Sequence, residues 1–308
     1  MKRFKSFALL TTVATYLLIF IGGLVRVSGA GLGCPDWPKC FGRWIPPTDI
    51  SQLPPEMDPN LFNFTLAWIE YINRLAGVTV GLLIATLALW ALAKYRHEKR
   101  ILIPALLSAV LVAFQGWQGS HVVSSGLEPF IVTIHMGLAF VIVSLLLYVY
   151  LQSYLKINKT TVTIVKRKVK FSILVLYLIS IGQIVVGTQI RSQIEHIQKA
   201  SPLMPTRQIL ELLGFVTPLH IVIGLFLIVA VIYLRTHLKW EARTQKTPAN
   251  FLITWGVVLL ILQGIVGLIL FWMGLPALGR VVHLWLSSLL IGVLLTLFVF
   301  LKPEEKLT

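Results

Sequence analysis

Three histidines stand inside apolar segments long enough to cross a membrane: His135, His220 and His283. An ionisable side chain is costly within a bilayer, and a histidine found there usually has a function. A single buried histidine can also be an ordinary core residue satisfied by a hydrogen bond. Two imidazoles on neighbouring helices, as we predict for His220 and His283, are how helical bundles ligate haem iron from both sides. The histidines therefore favour a haem-binding membrane protein.

Two of these histidines belong to an internal repeat. His135 and His283 are 148 residues apart, and the same offset relates a glutamine and a glycine that precede each of them. The related pairs are Gln115/Gln263 and Gly119/Gly267 at an offset of 148, Gly22/Gly187 and Arg26/Arg191 at 165, and Gly77/Gly224 and Asn73/His220 at 147. Because loop lengths vary freely, these offsets are compatible with a tandem duplication. We predict two halves, residues 1–155 and 156–308, each with four helices in the same orientation.

The elements that carry these residues are predicted to be membrane helices. A chain of 308 residues that is 56% hydrophobic and 13% charged has too little polar surface for a water-soluble globule. Since about 20 apolar residues in a helix cross a bilayer, the apolar runs predict eight spans. They lie near Phe7 to Val27, Phe64 to Ala93, Ile101 to Val122, Phe130 to Leu155, Phe171 to Ile190, Leu213 to Leu234, Phe251 to Phe271 and Arg280 to Leu301. The predicted fold class is an all-α polytopic membrane protein with eight transmembrane helices, arranged as two pseudo-symmetric four-helix bundles.

The distribution of charge predicts the orientation of the helices. Of the 27 Lys and Arg residues, 19 fall in the two termini and in the loops after spans two, four and six. The positive-inside rule makes that side cytoplasmic, so both termini are expected inside and the loop of residues 28–63 outside. The basic residues form short interhelical loops, which argues against nucleic-acid binding. The first apolar run is longer than the core of a signal peptide, so we predict a retained helix in a bacterial plasma membrane.

Polar residues at the start of the second span could also do chemistry. Glu70, Asn73 and Arg74 share one helix face, because residues three and four apart are neighbours. An ion pair between Glu70 and Arg74 is the simpler interpretation. The alternative is a partly buried carboxylate that moves protons or stabilises a developing positive charge. His121, at the outer end of the third span, is either an interfacial residue or a ligand, and its repeat partner is Ile269.

The two cysteines of the chain, Cys34 and Cys40, both fall in the first predicted outer loop. An oxidising compartment favours a disulfide between them. A bridge that closes so short a loop gains little entropy, which indicates a local clip or a redox switch. A zinc site would need further ligands nearby, and the sequence offers none.

Together these residues resemble the haem A synthase family. The resemblance rests on Glu70-x-x-x-Arg74, on the loop Cys-Pro-Asp-Trp-Pro-Lys-Cys at 34–40, on histidines in spans four, six and eight, and on the four-plus-four repeat. It covers essentially the whole chain. It implies an oxidoreductase that converts haem O into haem A for terminal oxidases: a ring methyl group becomes a formyl group through successive hydroxylations, with oxygen drawn from water.

The resemblance also implies different roles for the two halves. The C-terminal half would bind haem b as a cofactor through His220 and His283, whereas the N-terminal half would bind the substrate haem O through His135. Glu70 would work beside the methyl group that is oxidised. Arginines at the outer side would pair with haem propionates; the candidates are Arg26, Arg74, Arg191 and Arg280. Expected partners are membrane lipid, haem O synthase and assembly factors of terminal oxidases.

The chain departs from the family pattern within the candidate site. Many members have a histidine where Asn73 stands, and a carboxamide is a poor ligand for iron. The substrate haem would then be held by His135 alone, by His135 with an axial water, or with a substitute such as His121. A second cysteine pair that some members carry in the C-terminal half is absent from this sequence.

Two other classes of function fit part of the pattern. A non-catalytic haem b protein that passes electrons between quinol and an outer acceptor would explain the histidines. A haem or solute transporter would share the repeat, but it would require neither a pair of facing histidines nor a redox-active cysteine loop.

Overall fold

The computed structural model describes residues 1–158, 162–241 and 248–304. Within them, eight helices are long and apolar enough to cross a membrane, which confirms the predicted number of spans and the all-α class. These helices are α1 (Lys2–Val27), α2 (Phe64–Lys94), α3 (Lys99–Ser124), α4 (Pro129–Asn158), α5 (Arg167–Ala200), α7 (Val216–Glu241), α8 (Ala249–Trp272) and α9 (Ala277–Phe300). A short helix, α6 (Thr206–Leu212), and two short strands, β1 (Thr163–Val165) and β2 (Leu301–Pro303), complete the described elements. Four of the basic residues counted above, Lys159, Arg243, Lys246 and Lys306, lie outside the described residues.

The spans are helical because a bilayer offers no water to the backbone, so each segment must satisfy its own N–H and C=O groups. Buried hydroxyls in α1 are satisfied in the same way. Thr12 donates to the carbonyl of Ala8 at 2.7 Å, and Thr15 donates to that of Thr11 at 2.8 Å. Polar threonines can therefore lie in the core of the bundle without an unpaired group.

Two spans extend well beyond their predicted ends. The sixth was expected to end at Leu234, whereas α7 continues to Glu241. The fifth was expected to end at Ile190, whereas α5 continues to Ala200. Its last turns carry Ile194 and Ile197, which pack against Ile209 of α6 and Leu213 in a small apolar cluster. This packing stabilises the helical turns that follow Ile190.

Residues 2–149 form one compact unit, which we call the N-terminal unit. Here α1 and α3 both pack against α2. The loop that joins α1 to α2 is ordered by short 3-10 turns at Ala30–Leu32, Ile50–Gln52 and Pro59–Leu61. Asn63 ends the loop, and its side-chain oxygen caps α2 by accepting from the N–H of Leu66 at 3.0 Å.

The described residues from 150 to 304, with Met1, form the second compact unit, the C-terminal unit. Its core lies between α5, α7, α8 and α9. Strands β1 and β2 pair in parallel, and Lys170 donates from Nζ to the carbonyl of Leu301 at 2.6 Å. Periodicity along the sequence does not predict this pairing, because the two strands are far apart in the chain. The division between the units falls inside α4, between Val149 and Tyr150.

Candidate functional site

In the C-terminal unit, His220 of α7 and His283 of α9 lie close together. Their ring centroids are 6.4 Å apart, and the ring planes are inclined by 54°. An imidazole nitrogen lies about 2 Å from a metal ion that it ligates, and the ring centre lies about 1 Å further, so rings on opposite sides of one iron have centroids about 6 Å apart. The separation therefore fits one haem iron between the two rings.

Both rings have nitrogen atoms that the protein leaves unused. Nδ1 of His220 and Nδ1 of His283 are buried and make no hydrogen bond to the described residues. Such orphaned atoms are rare in proteins and call for a partner. No group of three or more His, Cys, Asp or Glu side chains within the described ranges could hold a metal ion. Axial ligation of haem needs only two protein ligands, so the pair fits a haem.

Each of these histidines contacts a glutamine and a glycine of a neighbouring helix. Nε2 of Gln183 donates to the backbone carbonyl of His220 at 2.5 Å, and Nε2 of Gln263 donates to that of His283 at 2.9 Å. Four residues after each glutamine, a glycine leaves room for the ring. A Cβ on Gly187 would lie 3.0 Å from Cε1 of His220, and one on Gly267 would lie 3.4 Å from Cε1 of His283. The glutamine hydrogen bonds fix the position of α7 and α9 along the neighbouring helices. The glycines allow the imidazole rings to lie close to the backbone of those helices.

This arrangement predicts the effect of adding a methyl group. Gly187→Ala is expected to push the His220 ring aside by a few tenths of an ångström and to lower haem b occupancy by about tenfold. Gly267→Ala should have a smaller effect, because its contact is longer. The measurement is the absorbance of the b-type haem per purified protein. Gly182→Ala is the matched control, since a Cβ at that position of α5 meets nothing within 4 Å. We call the glutamine and the glycine that contact one histidine its cradle. Equal haem b occupancy in Gly187→Ala and in the control would show that the glycine of this cradle is not needed to seat the His220 ring.

The N-terminal unit holds His135 in a similar cradle. Nε2 of Gln115 donates to the carbonyl of His135 at 2.8 Å, and a Cβ on Gly119 would lie 3.7 Å from its Cε1. A further contact joins Nδ1 of His135 to Oε1 of Gln118 at 2.5 Å. Nε2 of Gln118 donates to the carbonyl of Ile131, so Oε1 is the end of the amide that faces the ring. Nδ1 of His135 must therefore be the donor, which leaves Nε2 as the nitrogen available to a metal.

Glu70 and Arg74 form the ion pair that their spacing indicates. Glu70 is buried, and its Oε1 lies 3.1 Å from Nε and 2.5 Å from Nη2 of Arg74. Its Oε2 accepts from the backbone N–H of Cys34 at 2.9 Å. Nη1 of Arg74 donates to the carbonyls of Asp36 at 2.9 Å and Lys39 at 2.8 Å. All three guanidinium nitrogens are thus engaged by the protein, and the pair ties α2 to the cysteine loop.

The cysteine loop is closed by the predicted disulfide between Cys34 and Cys40, whose Cα atoms are 4.7 Å apart. The carboxylate of Asp36 accepts from the N–H groups of Phe41 at 2.6 Å and Gly42 at 2.8 Å. Cys34, Cys40 and Phe41 are buried. The loop is therefore a firm structure that contacts the first turns of α2 and one oxygen of Glu70.

Opening the disulfide is expected to disturb Glu70. In Cys34→Ser the loop loses its covalent closure, so the N–H of residue 34 is held less firmly against Oε2 of Glu70. We expect oxidation of haem O to fall by about tenfold, with the b-type spectrum of the C-terminal unit unchanged. The measurements are haem A content and b-haem absorbance in the same membranes. Full haem A content in the variant would leave the bridge a structural clip only.

His121 lies elsewhere on α3. Its side chain is exposed, and its ring packs edge-on against Trp117 with centroids 4.5 Å apart. It follows Gly119 by two residues, which the helical period places on a different face. The structure brings His121 together with Trp117 and not with the His135 cradle, and its role as a ligand stays a prediction.

Two of the arginines proposed for propionates converge on one carboxylate in the C-terminal unit. Nε of Arg191 lies 2.9 Å from Oε1 of Glu195, and Nη1 of Arg280 lies 3.5 Å from the same oxygen. A site that gathers two guanidinium groups around a carboxylate is chemically compatible with a propionate. Their role toward haem stays a prediction.

Sequence reasoning missed three polar residues: Gln118, Gln183 and Glu195. Gln118 has a valine, Val266, as its repeat partner, so the duplication could not mark it. Gln183 did leave a signal. The spacing Gln-x-x-x-Gly occurs at 115–119, 183–187 and 263–267, and each occurrence faces a membrane histidine.

Comparison with known proteins places the chain in a family. Residues 5–295 match the COX15-CtaA family, described as cytochrome oxidase assembly protein. The haem A synthase of Shewanella oneidensis is 34% identical over 184 residues, which cover 58% of this chain and 54% of that protein. The haem A synthase of Ehrlichia canis is 29% identical over 242 residues, 70% of this chain and 67% of the relative. That of Alkalihalophilus pseudofirmus is 29% identical over 139 residues, 45% of this chain and 42% of the relative.

The chain spans about half the length of the first of these relatives. The family match, in contrast, runs from the start of α1 to the last turns of α9 and includes all three membrane histidines and the cysteine loop. The chain therefore belongs to the COX15-CtaA family of cytochrome oxidase assembly proteins.

Proposed function

We propose that the chain is a haem A synthase, which oxidises a methyl group of haem O to the formyl group of haem A. In this reaction a methyl group and one water give a formyl group, four protons and four electrons, so the enzyme needs an electron acceptor. Family membership and relatives named haem A synthase support the proposal.

The observation that carries the proposal is the difference between the two histidine sites. His220 and His283 form a facing pair, which suits a cofactor haem that stays bound. His135 occupies the same kind of cradle. The only other histidines of residues 2–149, all of which the structure describes, are the exposed His97 and His121. A site with one imidazole suits a haem that must enter as substrate and leave as product.

The residues of the chain would divide the work as follows. His220 and His283 would hold haem b, which supplies one-electron transfer. His135 would bind the iron of haem O through Nε2, because Gln118 engages its Nδ1. Glu70 would accept protons released from the methyl carbon or stabilise positive charge that develops there. Arg74 would keep that carboxylate in place through its two contacts with Oε1.

We also propose that the protein lies in a bacterial plasma membrane with both termini in the cytoplasm and the cysteine loop outside. The excess of Lys and Arg on one set of loops supports this orientation. Haem O synthase and terminal oxidase assembly factors are proposed as partners, because one supplies the substrate and the others use the product.

The experiment is expression of the chain together with haem O synthase in cells that lack their own haem A synthase. Extracted membranes should contain haem A when the intact chain is present and only haem O when it is omitted. The competing function, a non-catalytic haem b protein, predicts a normal b-type spectrum beside unchanged haem O. That result would remove the enzymatic proposal.

A further inference from the structure

The glutamine–glycine cradle occurs three times in the described residues, once for each membrane histidine. In each case Nε2 of the glutamine donates to the backbone carbonyl of the histidine, at 2.8 Å for Gln115, 2.5 Å for Gln183 and 2.9 Å for Gln263. In each case the glycine four residues later faces Cε1 of the same ring. The glutamine, the glycine and the histidine thus form one recurring motif.

The repeat predicts a fourth cradle, on α1 and α2, and the sequence lacks it. The offset of 165 that pairs Gly22 with Gly187 places Leu18 at the position of Gln183. The offset of 147 between the second and sixth predicted spans places Asn73 at the position of His220. The glutamine and the histidine are therefore both replaced, and only the glycine remains.

The contacts of Gly22 and Asn73 agree with the absence of an imidazole ring from this part of α1 and α2. A Cβ on Gly22 would meet nothing within 4 Å, whereas a Cβ on Gly187 would press on His220. Oδ1 of Asn73 is buried and has no hydrogen-bond partner among the described atoms. A leucine at position 18 cannot donate a hydrogen bond to the carbonyl of residue 73. By the repeat, this position on α1 and α2 therefore keeps the glycine and lacks both the glutamine that would donate to the backbone and the imidazole.

The membrane imidazole of the N-terminal unit has its orientation set by a second glutamine. Oε1 of Gln118 accepts from Nδ1 of His135 at 2.5 Å, which leaves Nε2 as the nitrogen available to a metal. A hydrogen bond from the outer nitrogen orients a ligating histidine and raises its basicity. The ring of His135 is thus oriented for ligation by a contact within the protein.

We propose that the N-terminal haem site uses a single protein ligand, His135, and leaves the opposite axial position, on the Asn73 side, open to a small exchangeable ligand such as water or a diatomic gas. The proposal rests on the proposed function, since it concerns the haem that the N-terminal unit would bind. Asn73 lies three residues after Glu70 on α2, so the open position would be on the helix face that carries the buried carboxylate. A neutral carboxamide is too weak a ligand to exclude small molecules from iron.

The test uses purified full-length protein loaded with haem, reduced with dithionite and exposed to carbon monoxide. The haem of the N-terminal unit should bind carbon monoxide, while the His220/His283 haem should remain six-coordinate and not bind it. The double variant Leu18→Gln/Asn73→His restores the glutamine and the histidine that the fourth cradle lacks. It should lower carbon monoxide binding by about tenfold and add a second low-spin signal in electron paramagnetic resonance. Asn73→His alone should give a smaller change, and Leu18→Gln alone should give none.

Two results would overturn the proposal. One is a wild-type N-terminal haem that is already low-spin and does not bind carbon monoxide. The other is a double variant that loads haem, keeps the normal b-type signal as a sign of correct folding, and binds carbon monoxide as the wild type does. Neither readout needs haem A to be formed. Failure of the chain to convert haem O would therefore contradict the proposed function and leave this coordination intact.

Discussion

His283→Ala and His220→Ala are each expected to abolish the low-spin b-type spectrum of the purified protein, with haem b content reduced by about tenfold or more. The two rings have centroids 6.4 Å apart, a separation that fits one ring on each side of a single iron. Removing either leaves the iron with one axial ligand in a pocket shaped for two. The measurement is electron paramagnetic resonance of the ferric protein together with the reduced-minus-oxidised absorbance spectrum.

The matched control for this experiment is His135→Ala, which should retain the low-spin b-type spectrum and lose the bound substrate haem. His97→Ala, at an exposed position after α2, should change neither. A full low-spin signal in His220→Ala or His283→Ala would show that these two residues are not the axial pair.

Glu70→Gln is expected to lower the formation of haem A by about 100-fold or more, which is the range of general acid–base catalysis. Glutamine has nearly the same shape and keeps an oxygen that can accept the N–H of Cys34. It loses the negative charge that faces Arg74 at 2.5 Å. The variant therefore separates the charge of the side chain from its role in holding the loop. Haem A and haem O are measured in extracts of the same membranes.

Two further observations interpret that result. The disulfide should still form in Glu70→Gln, as shown by the absence of alkylatable thiols, and substrate haem should still load. Glu195→Gln, which removes a carboxylate from the C-terminal unit, should lower haem A formation much less. Unchanged haem A in Glu70→Gln would reduce Glu70 to a structural contact of the cysteine loop.

The sequence predicts the number and type of the membrane helices well, because apolar length and the lack of water in a bilayer leave few alternatives. It predicts the ends of helices less well. The extension of α5 to Ala200 depends on packing against α6, and α6 is too short to be found from apolar length. The pairing of β1 with β2 depends on contacts between distant segments, which periodicity along the chain does not report.

The candidate site could be predicted where its chemistry is unusual for its surroundings. Membrane histidines stand out by type, and the Cys34–Cys40 pair stands out because the chain has no other cysteine. Gln118 does not stand out, since a polar residue near the end of a span has many ordinary explanations. Its importance follows from a contact of 2.5 Å with His135, which only the packing of α3 against α4 reveals. The contact of Glu70 with the N–H of Cys34 likewise depends on the folded loop.

The proposed function is tested most directly by the haem composition of the purified wild-type protein after expression with a supply of haem O. We expect three haems in the extract: haem b from the His220/His283 site, and haem O together with haem A from the His135 site. Mass spectrometry of the extracted pigments distinguishes the methyl group from the formyl group. Haem b accompanied by haem O alone would show that the protein does not oxidise haem O.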